Sequence, residues 1–323
     1  MDNRLPLLTL PANVLKNVLL NMEFPNVLTL SLFSKRAHSL ISKNWLRPPR
    51  SSRLYIGYDY VNLHLWFVRR HTTIELQPVR PGWILENPEC FQIKVCENGS
   101  KLEVLGITVK KCIQNFLKVL SIKKGLTVEI SRHCRPHVSI IQNFLEGFSY
   151  DRLALEDHPN REFTQNLLQV LPPPEQYEVH RNPFFNPQKL FIESSQYLQL
   201  FTPAVRIITF DDLLFMNSEC VELDWSDVSD KFVNRYLKLW IKGCHRRLKY
   251  LEIKSMDFEE ELWRDMNVEE IMRGIPHKIV AEKRKFQIPF TDDKRPHWCS
   301  NGMDIVRFDG KAKASIFIRD AQS

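Results

Sequence analysis

Leu5 to Trp45 reads LPLLTLPANVLKNVLLNMEFPNVLTLSLFSKRAHSLISKNW, and the spacing of its apolar residues decides how the chain begins. Pro11 suits the first helical position, where a missing N–H loses nothing. From there Val14, Leu15, Val18, Leu19 and Met22 recur at helical spacing, while Lys16, Asn17 and Asn21 fall on the other side. Pro25 restarts the pattern, and Val27, Leu28, Leu30 and Leu32 follow. Ser34 is an N-cap residue for a third helix carrying Ala37, Leu40, Ile41 and Trp45. Some forty residues cannot bury this much apolar surface among themselves. Either the rest of the chain covers it, or another protein does.

Leu10-Pro11, the Val14/Leu15 and Val18/Leu19 pairs, Val27-Leu28 and Ser34-Lys35-Arg36 together resemble an F-box, over roughly residues 5–45 of a segment taken as 1–47. Two positions differ from the family's habit: Asn13 stands where an acid is common, and Ala37 where a large aromatic is common. The resemblance implies docking on a Skp-type adaptor, itself held by a cullin scaffold in a ubiquitin ligase. It assigns the contact to Leu10, Pro11, Val14, Leu15, Val18, Leu19, Val27 and Leu28, whose faces the chain is expected to leave bare. The competing reading of the same residues is an amphipathic helical cap on a larger domain.

Working outward, 323 residues with 43% hydrophobic side chains suffice for one large or two modest domains with a real core. No run of eighteen apolar residues is present and MDNRLPLL lacks a long apolar core, so neither a membrane span nor a secretory signal is expected. The seven cysteines are odd in number and scattered, with no C-x-x-C pair. Reduced thiols in a cytoplasmic or nuclear protein follow. The net charge is +7, and residues 1–50 hold seven basic side chains against two acidic ones. Such a surplus can steer an acidic partner or a nucleic acid. No basic run reaches five or six residues, Lys283-Arg284-Lys285 being the densest, so a solvated surface is expected instead.

Leu46 to Ser52 holds two prolines and no periodicity, and reads as a hinge. Strands are expected at Arg53–Tyr58 and Asn62–Val68 from their β-branched and aromatic content. Phe91, Ile93 and Val95 alternate with polar residues, Asn98-Gly99 offers a type I′ turn, and Lys101–Ile107 returns as the partner strand. These make a β-rich segment, 54–109. Beyond residue 110, helical spacing at Cys112–Leu120, Val138–Phe148 and Phe163–Leu171 alternates with strands at Leu126–Ile130, Leu153–Leu155 and Tyr177–Val179. The recurrence of about 25 residues lies in the leucine-rich-repeat range, without a strict consensus. The expected fold class is α/β: three helices, then β-hairpins, then an irregular leucine-rich-repeat-like strand–helix array over 110–323.

Within that array the order is a strand at Val205–Phe210, the FDDLL helix start, a strand at Val221–Leu223, a helix capped by Asp227 or Ser229 and stopped at Gly243, and the strand LKYLEI at Leu248–Ile253. This stretch, about 190–256, resembles the type 2 F-box-associated domain, a C-terminal companion of the F-box. Tyr236 and Trp240 read as packing residues. A last hairpin is expected from Met303 to Ile318 around Asp309-Gly310.

Candidates for chemistry are thin. His133, Cys134 and His137 are three possible zinc ligands where a structural site wants four. His297-Trp298-Cys299 is weaker still, and ten glycines include no phosphate-binding loop. Asp211-Asp212 serves a helix dipole as well as any metal, and Glu259-Glu260-Glu261 reads as a solvated face. No enzyme, metal or cofactor is therefore expected. The resemblances imply a substrate-recruiting ligase subunit that works by proximity and bridges an adaptor to a target protein, with neither nucleic acid nor membrane as partner. The alternative is a repeat-type interaction scaffold with no ligase role.

Overall fold

The computed structural model describes residues 9–44, 48–68, 71–79, 84–85, 90–95, 101–135, 137–180, 184, 190, 192, 195–202, 209–225, 228–257, 262–263, 266–286 and 297–318. The chain divides into two compact units, 1–174 and 175–323. The boundary falls just after Pro172-Pro173-Pro174, which has no backbone N–H groups to continue a helix.

The first unit opens with α1 (Ala12–Asn21), α2 (Phe24–Phe33) and α3 (Lys35–Asn44). Pro11 takes the cap position of α1, one residue before the expected place, and its carbonyl receives the Leu15 N–H at 2.9 Å. Ser34 does cap α3: its hydroxyl accepts from the Ala37 N–H at 3.2 Å. Trp45 lies outside the described residues.

The sheet of this unit runs β7-β6-β1-β2-β3-β4-β5, with β1 (Ser51–Ile56), β2 (Val61–Trp66), β3 (His71–Pro78), β4 (Cys90–Val95), β5 (Lys101–Leu105), β6 (Leu126–Ile130) and β7 (Arg152–Leu155). β1 to β5 form an antiparallel meander, and β6 and β7 add in parallel on the far side of β1. Ser51 and Ser52 already belong to β1, so the expected hinge is shorter than its sequence suggests. Leu54, Ile56, Val61, Leu63, Leu65, Ile74 and Leu76 alternate into the core. β3 has no counterpart among the expected strands, because Thr72 replaces a hydrophobe in its inward row. The β4–β5 pair is the expected hairpin, although its Asn98-Gly99 turn lies outside the described residues.

Helices α4 (Val109–Val119), α5 (Val138–Leu145) and α6 (Arg161–Val170) begin at Thr108, His137 and Asn160, each accepting a first-turn N–H. Cys112, Ile113, Phe116 and Leu117 line the buried side of α4. The helix also meets α2 and α3. Asn115 donates to the Ser31 carbonyl across that contact, and Phe24 packs edge-on against Phe67.

The second unit carries parallel strands β8 (Gln176–Val179), β9 (Tyr197–Thr202), β10 (Cys220–Trp225) and β11 (Tyr250–Asp257), with β12 (Leu262–Trp263) antiparallel at the edge. α7 (Phe210–Leu214) and α8 (Asp230–Ile241) make two of the crossovers that parallel pairing requires. β9 was not among the expected strands. The expected strand at 205–210 is corrected at its end: Phe210 opens α7, because Thr209 and Asp212 form a reciprocal capping box. Residues 205–208 lie outside the described set, as do Asp227 and the acidic run 259–261. Ser229 caps α8, and Gly243 stands just past it at φ +104°, where a side chain would be strained.

The rest of the unit comprises α9 (Val268–Met272), β13 (Lys278–Val280), β14 (Arg284–Phe286), β15 (His297–Cys299), β16 (Gly302–Val306) and β17 (Lys313–Ile316). β13-β16-β17 form a small sheet, and β16–β17 is the hairpin expected around Asp309-Gly310. Its inward row, Met303 and Ile305, packs on Trp240, Ile241, Ile271, Met272 and Ile275. Tyr236 and Trp240 are buried packing residues.

Candidate docking surfaces

The eight side chains assigned to adaptor docking fall into two groups. Leu15, Leu19, Val27 and Leu28 are 0–1% exposed, together with Phe24, Ala37 and Ile41. They are not left bare as the sequence suggested. The three helices share one inner layer, and α4 closes it from below, so the chain itself covers these four. Val14 is 40% exposed, Pro11 is exposed, and Leu10 and Val18 are half-buried. These four mark the outer stripe of α1. Arg36 ties the stripe's start to α3 by donating to the Leu10 carbonyl at 2.8 Å. Leu20 and Phe33, at 52% and 60%, are further exposed apolar side chains that periodicity alone did not single out. Asn13 is exposed in the first turn of α1, which holds no acidic residue. Ala37 is fully enclosed.

The outer face of the first unit's sheet holds a feature the sequence reading missed. Trp66 and His71 face each other across β2–β3 with rings 4.8 Å apart, and His64 stacks 5.7 Å from each. Burial first, then His71 and Arg53, push His64 down to about 4. Its Nδ1 lies 3.0 Å from the Thr73 hydroxyl. Only the strand register brings these rings together. β3 was not expected, so no sequence signal announced them.

The residues considered for metal binding have other work. His133 Nε2 accepts from Arg132 Nε at 3.1 Å, and His137 caps α5. Cys134 is fully buried, and desolvation pushes its thiol up to about 12. Among the described residues, no group of three or more His, Cys, Asp or Glu is placed to hold a metal ion. Asp212 accepts from the Thr209 N–H at 2.8 Å and hydroxyl at 2.7 Å, which is the helix-start role expected of that acid pair.

In the second unit, Lys249 at 2.6 Å, with Arg247 at 3.7 Å, holds the Glu219 carboxyl below its ordinary range. The cluster joins the loop before β10 to the start of β11. Among the described residues, no helix is long and apolar enough to cross a membrane.

Comparison with known families places two domains on this geometry. The model of the F-box domain matches residues 7–48, which hold α1 to α3. The model described as F-box associated, of the second type, matches residues 186–253, from before β9 into β11. No curated protein and no solved structure gives a significant match. The chain therefore carries an F-box domain over its three opening helices and an F-box associated domain of the second type downstream of it.

Proposed function

We propose that the chain is the substrate-recruiting subunit of a Skp–cullin–F-box ubiquitin ligase, with one surface for the adaptor and another for a target protein. The pairing of an F-box domain with an F-box associated domain carries this reading. The adaptor contact runs along Leu10, Pro11, Val14 and Val18, the outer stripe of α1. Leu15, Leu19, Val27 and Leu28 act beneath it by fixing the helices. The parallel strand–helix units form a leucine-rich-repeat-like body for target recognition. No catalytic side chain is required. Tethering raises the target's effective concentration beside the charged conjugating enzyme, and a rigid spacer preserves that gain. The protein then works in the cytoplasm or nucleus, where its partners are.

The rival reading, a helical cap on a non-ligase scaffold, draws support from the seal between α2, α3 and α4. That seal makes a truncation uninformative, since removing residues 1–46 bares α4 under either reading. Co-purification with a Skp-type adaptor separates the two. Pro11→Ala with Val14→Glu is expected to abolish retention of the adaptor while the circular dichroism of the chain is unchanged. Undiminished retention would exclude the α1 stripe, and no retention by the unaltered chain would exclude the ligase reading.

A further inference from the structure

The carboxyl ends of β1, β6 and β7 lie side by side, because the three strands are parallel neighbours. The loops leaving them are stitched together. The Ser131 N–H donates to the Ile56 carbonyl at 3.0 Å, and the Glu156 N–H to the Ile130 carbonyl at 3.1 Å. The Glu156 carboxylate turns onto the middle loop, accepting from the Arg132 N–H at 2.9 Å and from the Ser131 and Tyr55 hydroxyls at 3.3 and 3.4 Å. His158 Nε2 donates to the Cys134 carbonyl at 2.8 Å, and the Cys134 side chain is sealed inside. Residues 131–134 are therefore fixed before any partner arrives, which lowers the entropy lost on binding.

This loop presents cations. Arg132, His133, Arg135 and His137 are all exposed. Arg132 is oriented by its bond to His133, and the Arg135 guanidinium lies 5.2 Å over the ring of Tyr58, which is itself 42% exposed. Three carboxylates sit on the same loops. Glu156, the one aimed at the middle loop, is taken by main-chain and hydroxyl donors. Two guanidinium forks are thus aimed outward, each steadied by a ring, with no ion-pair partner among the described residues. A planar carboxylate is the group such forks match.

We propose that this loop is where an acidic peptide segment of the recruited target docks. The inference rests on the recruiting role proposed above, and adds to it the place and the chemistry of target contact. The test is fluorescence anisotropy of a labelled oligoglutamate peptide titrated with the full chain. Binding that weakens with added salt is expected, and Arg132→Gln with Arg135→Gln should weaken it about tenfold or more. A matched pair elsewhere, Lys278→Gln with Lys285→Gln, should leave it nearly unchanged. Equal losses in the two double variants, or no binding at all, would overturn the assignment. So would tighter binding of a single-stranded RNA that loses affinity in the arginine variant. Adaptor retention, measured on the same samples, reports the recruiting role separately: its loss in the unaltered chain sinks that role, whereas intact retention with arginine-independent peptide binding sinks only this site.

Discussion

The side-chain amide of Asn115 on α4 donates to the main-chain carbonyl of Ser31 on α2, at 3.1 Å and across 84 positions of sequence. This bond joins the F-box helices to the body behind them. Ser31 is buried, so its carbonyl has little access to other donors. Asn115→Ala is expected to lower stability by about 1 kcal/mol, the usual worth of one such bond. Chemical denaturation should register that loss. Adaptor retention should be unaffected, because neither residue belongs to the α1 stripe.

Leu15 and Val14 are neighbours with opposite fates, one at 0% and the other at 40% exposure. Leu15→Ala is expected to cost on the order of 2–5 kcal/mol through the lost transfer energy and the cavity left behind. Val14→Ala is expected to stay within about 0.5 kcal/mol. Thermal unfolding of the two single variants checks the division between core and contact. Similar losses from both would mean that the whole face of α1 is structural.

His64 makes stability pH-dependent. Its folded-state value of about 4 lies below the ordinary histidine value of about 6.5, so between the two the unfolded chain binds the extra proton. Stability therefore falls as pH drops from about 6.5 to about 4, and this group's contribution levels off below that. His64→Gln should flatten the window. Denaturation midpoints across it give the comparison, and parallel curves for the two proteins would show that another group is responsible.

Asp304 holds the C-terminal sheet together. Arg284 grips both its oxygens, at 2.7 and 3.0 Å, while Lys313 at 2.7 Å and Ser315 at 2.6 Å complete the shell. These donors, Arg284 foremost, hold the carboxyl well below its usual range. Asp304→Asn leaves two cations facing an amide and is expected to lower the melting temperature by several degrees. Arg284→Gln should lower it less, since Lys313 and Ser315 still satisfy the carboxylate. The reverse ranking would show that Arg284 acts through something other than Asp304.

Much was legible in sequence because local rules govern it. Apolar spacing places α1 to α6 and α8, and the caps Ser34 and Ser229 follow from side-chain chemistry at helix starts. Strands with strong alternation, such as β1, β2 and β4, are equally plain. The strands missed were β3, with a threonine in its inward row, β9, and the short β12 to β15. Short or polar strands carry little periodic signal of their own, and β9 and β13 are fixed by partners well separated in sequence.

The sequence by itself determined that three apolar helices open the chain and that their motif is an F-box. It could not say which of their greasy side chains face inward, because Val14 and Leu15 are alike in hydropathy and one residue apart. Only tertiary packing decided that. α4, arriving some seventy residues later, closes over α2 and α3, so that Leu15, Leu19, Val27 and Leu28 are enclosed while Pro11 and Val14 stay in solvent. The same holds for Arg132 and Arg135, ordinary loop cations in sequence, which the parallel register of β1, β6 and β7 sets on one fixed edge. Periodicity records that a residue has a side, and long-range packing determines what that side meets.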